Sequence, residues 1–381
     1  MVNGVRTQRK GLLRLRMWFD IPPHDWLILP AIFVLTPILL LCIAETLIYY
    51  PLYEKLGDSC LVADPLVGHR AKPNCVSRYK VADSPWIENH YNDCGYRTTE
   101  PCGPKPAGTI RVAVIGSSIS AGYMVLYQQM FSTQAAAALT RDCRRPVQFQ
   151  DLGGVGYQWD RLYQRMQEAL TLKPDLLVMT ITPFDLMVET AEDPQPVPRR
   201  DGLLETIKNT VRDRIKETAI WRGLSYLQSA NRQFYVRLYL QGTDNSGYLR
   251  TPLPASWQDR LDRLDQLLGR MSQTAHAASV PFVLIYIPPR PQVLLLDHAV
   301  SFPGLAPASI EDLIAAEAAK AGLHYIDTAR TFAKVTDPDS VFFALSDHPN
   351  SLGHKIIADE LVSDLITEKI PAFAGCTTTG S

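Results

Sequence analysis

The stretch from Trp26 to Ile48 constrains this chain more than any other, because it runs for 23 residues with Glu45 as its only charge. At a rise of ~1.5 Å per residue, a helix of that length crosses a hydrocarbon core of ~30 Å. A cleaved signal peptide and a buried core helix are the alternatives. A signal peptide has a shorter apolar region and a small-residue cleavage site, which residues 42–46 match poorly. We therefore expect a transmembrane anchor over 26–48.

The residues around this stretch predict its orientation. Residues 1–25 form a basic tail, in which five cations precede the first acid: Arg6, Arg9, Lys10, Arg14 and Arg16. Basic flanks stay in the cytoplasm, so we expect a single-pass protein of the plasma (inner) membrane whose main domain is extracytoplasmic or periplasmic. Six of the seven cysteines follow the anchor, where an oxidising compartment would allow up to three disulfides. Their pairing, or their presence as free thiols, stays open at this point.

The overall balance of charge excludes some function classes. The chain has 381 residues, 20% of them charged, and a net charge of −1, so no nucleic-acid partner is expected. The sequence contains no CxxC, no HExxH and no close cluster of His and Cys, so no metal site and no cofactor are expected.

The pattern along the chain changes at residue 109. Residues 49–108 are rich in Pro, Gly, Asp and Asn, which predicts an irregular, Cys-containing preamble. From 109 to 370, short β-branched runs alternate with amphipathic stretches, and 371–381 form a tail. The predicted strands are 109–116, 147–152, 175–182, 281–287 and 324–327, and the predicted helices are about 126–141, 158–172, 257–279, 308–321 and 351–367. This alternation predicts an α/β fold, a doubly wound α/β/α sandwich with a parallel, flavodoxin-like sheet.

One long insertion, 187–256, separates the third and fourth predicted strands. After a Pro-rich loop, apolar residues recur at helical spacing through Leu204, Ile207, Val211 and Ile215, with basic residues beside them. A basic amphipathic helix is therefore expected. Packing on the edge of the domain is the favoured interpretation, and a lid over the site or a face on anionic lipid headgroups are the alternatives.

Polar residues follow several predicted strands, at the sheet edge where doubly wound folds bind ligands. Ser118 follows the first strand in Gly-Ser-Ser-Ile-Ser-Ala-Gly, and Thr182 and Asp185 follow the third. No G-x-S-x-G elbow surrounds Ser118 and no Gly-Lys-Ser/Thr follows it, which disfavours an α/β-hydrolase elbow and a phosphate-binding loop. His348 stands in Ser-Asp-His-Pro-Asn near the C-terminus. A hydroxyl and an imidazole at one edge suit nucleophilic catalysis.

Over roughly 109–367 these motifs resemble the SGNH/GDSL hydrolases. The run VIGSSIS resembles the first family block, GGVGY the second, and His-Pro-Asn-x-x-Gly-His from residue 348 is the most specific match. The resemblance implies Ser118 as nucleophile and His348 as its base. It also implies an oxyanion hole from the backbone N–H groups of Ser118 and Gly156. Tyr157, Thr182 and Asp185 are expected to border the substrate pocket.

Two positions depart from the family pattern. Phe184 stands where the third block normally has the Asn that donates to the oxyanion, and a phenyl ring cannot donate. Leu345 stands where the acid of the triad normally precedes the histidine by three residues. Asp347 is therefore our expected triad acid, with Ser346 or a backbone carbonyl as the alternative.

The expected function is that of a membrane-anchored, extracytoplasmic serine esterase. The resemblance implies hydrolysis of small acyl groups such as acetate, with an acyl ester of envelope or exported polysaccharide as the substrate. Two alternatives remain open: an O-acyltransferase that uses the same residues, and an inactive relative that binds glycan or acts as a scaffold. The departures at Phe184 and Leu345 motivate the inactive alternative.

Overall fold

A computed structural model describes most of the chain. The described residues are 25–52, 55–56, 60–81, 83–157, 159–187, 203–216, 218–242, 244–297 and 301–377. The predicted basic tail, apart from Asp25, lies outside this set, and so do the Pro-rich loop at the start of the insertion and the last four residues.

The apolar stretch near the N-terminus forms helix α1 (Asp25–Leu52). Within the described residues, Ile28–Leu47 is the one segment long and apolar enough to cross a membrane, with a mean hydropathy of 2.4 and no buried residue. This exposure excludes the buried core helix as an interpretation, because such a helix would be covered by other elements.

Residues 55–90 form small antiparallel sheets, so the prediction of an irregular preamble was wrong. The strands are β1 (Lys55–Leu56), β2 (Leu61–Asp64), β3 (Gly68–Ala71), β4 (Val76–Lys80) and β5 (Ile87–His90). They pair in the orders β1-β4-β5 and β2-β3. β5 buries Ile87 and Asn89 and exposes Glu88 and His90, the alternation of a half-buried strand. We call residues 60–97 the N-terminal module, which the disulfides Cys60–Cys75 and Cys94–Cys102 tie together and to the following loop.

The predicted central strands are confirmed. They are β6 (Ile110–Ile115), β7 (Val147–Asp151), β8 (Leu176–Ile181), β9 (Phe282–Tyr286) and β10 (His324–Asp327). All four neighbouring pairs are parallel, in the order β10-β9-β8-β6-β7. β6, β8 and β9 are buried on both faces, as near-continuous apolar runs in parallel sheets normally are.

Helices cover both faces of this sheet, as predicted. After α1 they are α2 (Phe131–Cys143), α3 (Trp159–Thr171), α4 (Pro183–Met187), α5 (Leu203–Lys216), α6 (Ala219–Ser229), α7 (Arg232–Gln241), α8 (Ala255–Ala277), α9 (Arg290–Leu296), α10 (Ser309–Lys320), α11 (Ala329–Ala333) and α12 (Ser351–Thr367). One core cluster joins the sheet to α3, α8 and α10. The other joins it to α2 and α12, and the disulfide Cys143–Cys376 ties the end of α2 to the segment that follows α12.

The described part of the insertion contains helices α5, α6 and α7. α6 packs on α1 and α7 packs on α9. The expected basic amphipathic helix is α5, but Val211 and Ile215 are about half exposed, so these two side chains do not pack on the domain edge as we had favoured. Glu45 of α1 accepts hydrogen bonds from the first two N–H groups of α6, those of Ala219 (2.6 Å) and Ile220 (2.9 Å).

Candidate active site

A tight turn after β6 positions Ser118. Gly116 there has φ +152°, and a Cβ at this position would lie 2.2 Å from Thr180 Oγ1 and 2.7 Å from Ser120 Oγ. Only glycine satisfies both the conformation and the space. The chain therefore turns at once, and the half-buried Ser118 sits at the carboxyl edge of the sheet.

His348 lies in the loop before α12 and reaches Ser118 from the other end of the chain. Its Nε2 lies 2.9 Å from Ser118 Oγ, and its Nδ1 lies 3.0 Å from the carbonyl oxygen of Ser346. A carbonyl oxygen only accepts hydrogen bonds, so Nδ1 carries the proton and the Nε2 lone pair faces the serine hydroxyl. Burial lowers the pKa of His348, against the opposing effect of the Ser346 hydrogen bond. The imidazole is thus held in the neutral form that a general base requires.

Asp347 does not orient the imidazole, so the structure contradicts the expected triad acid. Its carboxylate accepts a hydrogen bond from Tyr235 Oη at 2.6 Å and one from Arg290 Nη1 at 3.4 Å. Its backbone has φ +59°, a left-handed conformation that is uncommon for a residue other than glycine. The alternative partner, a backbone carbonyl, is the one that the structure shows.

Arg290 organises the loop that carries His348. Its guanidinium bonds to Asp339 (2.8 Å), to the carbonyl oxygen of Ala344 (3.0 Å) and to that of Ser229 (2.7 Å). It also stacks over the Tyr235 ring, 4.2 Å from its centroid. Neither Arg290 nor Tyr235 was predicted from the sequence. Arg290 directly follows the Pro-Pro pair that comes just after β9, and a cation so close to a strand end was a signal that could have identified it.

A pocket of about 220 Å³ opens beside Ser118 and His348. Gly156, Thr182 and Asp185 border it, as expected. Its remaining walls are mostly apolar and include Ile119, Phe184, Pro288, Pro289 and Pro349. Gly156 is exposed with φ +74°, so its backbone is accessible from the pocket.

Asp185 organises the loop after β8. Its Oδ2 accepts the Thr182 N–H at 2.9 Å. Burial raises the pKa of Asp185 to about 6, against the lowering effect of hydrogen bonds from Ser117 and from the Thr182 N–H. The carboxylate thus links the nucleophile turn to the start of α4 and holds Phe184 at the pocket wall.

Tyr157 lies elsewhere, so the expectation that it borders the Ser118 pocket was wrong. Its hydroxyl donates to the carbonyl oxygen of His69 at 2.9 Å. Its ring lines a neighbouring cavity between the N-terminal module and the central domain. The aromatic residue that does touch the imidazole is Tyr123, whose ring centroid lies 5.1 Å from that of His348 in an edge-on contact.

Comparison with known proteins agrees with this geometry. The sequence profile of the GDSL-like lipase/acylhydrolase family matches residues 114–356, which is well over half of the chain. No curated protein matches the chain significantly.

Solved structures show similarity at low identity. A member of the lipolytic G-D-S-L family from Veillonella parvula is 13% identical, with a TM-score of 0.37 over 67% of this chain and 97% of that one. TesA is 14% identical, with a TM-score of 0.38 over 67% and 97%. A mutant of Axe2, an acetyl-xylooligosaccharide esterase from Geobacillus stearothermophilus, is 12% identical, with a TM-score of 0.39 over 67% and 94%. On the evidence of the profile match, the chain belongs to the GDSL-like lipase/acylhydrolase family.

Proposed function

We propose that this chain is a serine ester hydrolase with Ser118 as nucleophile and His348 as general base. The observation that carries the proposal is the 2.9 Å contact between Ser118 Oγ and His348 Nε2, with the opposite nitrogen bound to the Ser346 carbonyl oxygen. That arrangement fixes the tautomer in which Nε2 accepts the serine proton.

The proton path follows from this geometry. His348 Nε2 takes the proton of Ser118 as the oxygen attacks the ester carbonyl carbon. The same imidazolium then protonates the leaving alcohol, which leaves an acyl group on Ser118. Water, activated in turn by Nε2, releases the acid. Because a neutral carbonyl stabilises the imidazolium less than a carboxylate does, we expect slower turnover than in a complete triad.

The developing oxyanion would meet the backbone N–H groups of Ser118 and Gly156, which both border the pocket. The family's third donor is absent at Phe184. Each oxyanion donor contributes roughly 10²–10³-fold to the rate, so the loss of one slows the enzyme without removing the chemistry of Ser118 and His348.

We propose that the catalytic domain is extracytoplasmic and anchored by α1. The length and hydropathy of Ile28–Leu47 support this, and so does the basic N-terminal tail. Exposed apolar side chains of α6, among them Trp221 and Leu227, belong to a helix that packs on α1, as expected for a surface near lipid. Glu45, the one acid of the apolar stretch, is paired with the α6 N-terminus, which reduces the cost of its location.

The substrate that this location makes accessible is an acyl ester of envelope or exported polysaccharide. The apolar Ser118 pocket of about 220 Å³ suits a small acyl group such as acetate. An O-acyltransferase would use the same residues, and its product differs because a sugar hydroxyl replaces water.

Labelling of the folded full chain with a fluorophosphonate, followed by peptide mapping, tests the nucleophile. We expect an adduct on Ser118 that is lost in Ser118→Ala and retained in Ser117→Ala, the neighbouring serine of the same pocket. Turnover of phenyl acetate should vanish only in the first variant. An unlabelled Ser118 in folded protein would refute the enzyme proposal. Acetate released to water, compared with acetate moved to added sugar, distinguishes hydrolase from transferase.

A further inference from the structure

A second cavity lies beside the proposed active site and has no part in the mechanism above. It measures about 320 Å³ and is formed where the N-terminal module meets the central domain. We call it the tyrosine-lined cavity, because four tyrosines contribute to its walls: Tyr79, Tyr91, Tyr123 and Tyr157.

Two structural elements lie between this cavity and the residues Ser118 and His348. The loop after β7 separates the two spaces, since Gly153, Gly154 and Val155 line the tyrosine-lined cavity and Gly156 lines the Ser118 pocket. Tyr123 is a wall of the cavity and also touches the imidazole of His348. The cavity therefore lies one loop and one ring away from the reacting atoms.

The position of the tyrosine-lined cavity beside the imidazole indicates which half of an ester substrate it would hold. His348 Nε2 would give its proton to the leaving oxygen, so the alcohol portion departs on the side of the imidazole. The acyl portion is already accommodated by the mostly apolar pocket that holds Ser118. The cavity beyond Tyr123 is thus placed for the alcohol.

The chemistry of the walls indicates which alcohol would bind. Tyr79 stacks nearly parallel on Tyr123, with ring centroids 6.1 Å apart and an interplanar angle of 14°. Polar groups interrupt these aromatic surfaces: Ser77, Asn89, Tyr91 and Arg97. Asn89 and Arg97 are more than nine-tenths buried, and each has one buried atom, Oδ1 and Nε respectively, without a hydrogen-bond partner among the described residues. A few polar groups among aromatic walls are typical of sites for small, partly polar ligands.

The arginines that line the cavity already have partners within the protein, so they do not require an anionic ligand. Arg70 pairs with Asp64 and Glu168, and Arg165 pairs with Glu168 at 2.6 Å. Arg97 donates to main-chain carbonyls, among them those of Ala121 and Val125 at 2.7 Å. Groups that both donate and accept, as sugar hydroxyls do, match the hydroxyl of Ser77 and the amide of Asn89, two polar residues of the cavity wall. An acyl tail would match neither.

We propose that the tyrosine-lined cavity binds the alcohol portion of the ester and that this portion is a neutral sugar ring. The inference rests on the proposed esterase function and deepens it. Leu61, Tyr79 and Asn89, which help to form the cavity, lie in the N-terminal module and precede the family match at 114–356. Disulfides at Cys60–Cys75 and Cys94–Cys102 hold that module in shape, so the cavity is organised before the ligand enters.

The test uses two neighbouring positions of β2. Leu61 and Val62 are exposed to a similar extent, 44% and 37%, but only Leu61 lines the cavity. Leu61→Trp should narrow the cavity, and Val62→Trp is the matched control. The substrates are phenyl acetate and a methyl glucoside with one acetyl group, assayed with the full chain in detergent.

We expect Leu61→Trp to lower kcat/KM for the acetylated glucoside by roughly tenfold, as loss of about 1.4 kcal/mol of binding gives. Phenyl acetate should change less than twofold, and Val62→Trp should affect neither substrate. Equal loss on both substrates, or no loss on the glucoside, would overturn the assignment.

A second series separates the sugar from an acyl chain. If the cavity took the acyl chain, Leu61→Trp would slow 4-nitrophenyl octanoate far more than 4-nitrophenyl acetate, and the proposal would be wrong. Failure of the esterase proposal looks different, because wild type would then turn over no ester and Ser118 would not react with fluorophosphonate. Labelling of Ser118 in both tryptophan variants verifies that each remains folded.

Discussion

Replacement of Asp347 by asparagine tests whether a backbone carbonyl has taken over the role of the triad acid. Where a carboxylate holds the tautomer of a catalytic histidine, its conversion to an amide lowers kcat by roughly 10⁴-fold. Here Nδ1 of His348 is bound by the Ser346 carbonyl oxygen at 3.0 Å, which this substitution leaves in place. Asp347→Asn should therefore cost much less.

The expected loss of activity can be calculated from the hydrogen bonds that the Asp347 carboxylate accepts. Its carboxylate accepts the Tyr235 hydroxyl at 2.6 Å, and a hydrogen bond to a charged group contributes ~1.5–3 kcal/mol. If all of that energy keeps the His348 loop in place, its removal lowers kcat/KM by roughly 10–150-fold, at about 1.4 kcal/mol per factor of ten. Tyr235→Phe removes this hydrogen bond, whereas Asp347→Asn keeps a neutral amide oxygen as its acceptor, so Tyr235→Phe should lose at least as much activity as Asp347→Asn.

The assay is the kcat and kcat/KM for phenyl acetate in wild type, Asp347→Asn and Tyr235→Phe, with thermal unfolding as the measure of folding. Asp339→Asn is the control for Arg290, because Asp339 binds the same guanidinium at 2.8 Å and does not adjoin His348. A loss near 10⁴-fold in Asp347→Asn alone, with Tyr235→Phe little changed, would show that the carboxylate orients the imidazole and would refute our interpretation.

Four further predictions concern the active site and the residues around it. Phe184→Asn should raise kcat for phenyl acetate, by up to ~10²-fold if its amide reaches the oxyanion; an unchanged kcat in folded protein would place the missing donor elsewhere. Burial lowers the pKa of His348 below its usual 6.5, so kcat/KM should stay level through neutral pH and fall only as the pH drops below 6.5 and the imidazole is protonated. A midpoint above 6.5 would contradict this. In the unfolded chain His354 has its usual pKa near 6.5, whereas burial lowers the pKa in the folded chain to about 3. Urea titrations at a series of pH values should therefore show that the contribution of His354 to the free energy of unfolding is complete above pH ~6.5 and is lost as the pH falls toward 3. Gly116→Ala should unfold the chain at lower urea than Gly156→Ala, since the new Cβ meets Thr180 at the first position and open space at the second.

The central domain was predictable because its strands and helices have strong local patterns. The runs around Val112, Val178 and Val283 are buried on both faces, so apolar residues dominate them, with Arg111 and Thr180 as polar exceptions. The N-terminal module was missed because its strands of four or five residues between turns carry too short an alternation to identify.

The Ser118 and His348 positions were predictable from motifs at strand ends, whereas the partner of Nδ1 was not. A carbonyl oxygen occurs at every residue, so the sequence does not indicate which one binds Nδ1, and the loop conformation selects that of Ser346. Tyr235 comes from the insertion, 112 positions before Asp347, and no local pattern links the two. The disulfide pairing was not predictable either, because it depends on which cysteines the fold brings close together.

The disulfide Cys143–Cys376 joins positions 233 apart in the sequence, so it encloses nearly all of the catalytic domain, including the insertion. A protease cut within the insertion would therefore leave two fragments that stay covalently attached. Such a nicked chain would migrate as one species on a non-reducing gel and as two after a thiol is added. The bond thus becomes a reporter of compartment, because it persists where thiols are oxidised and is lost in a reducing cytoplasm.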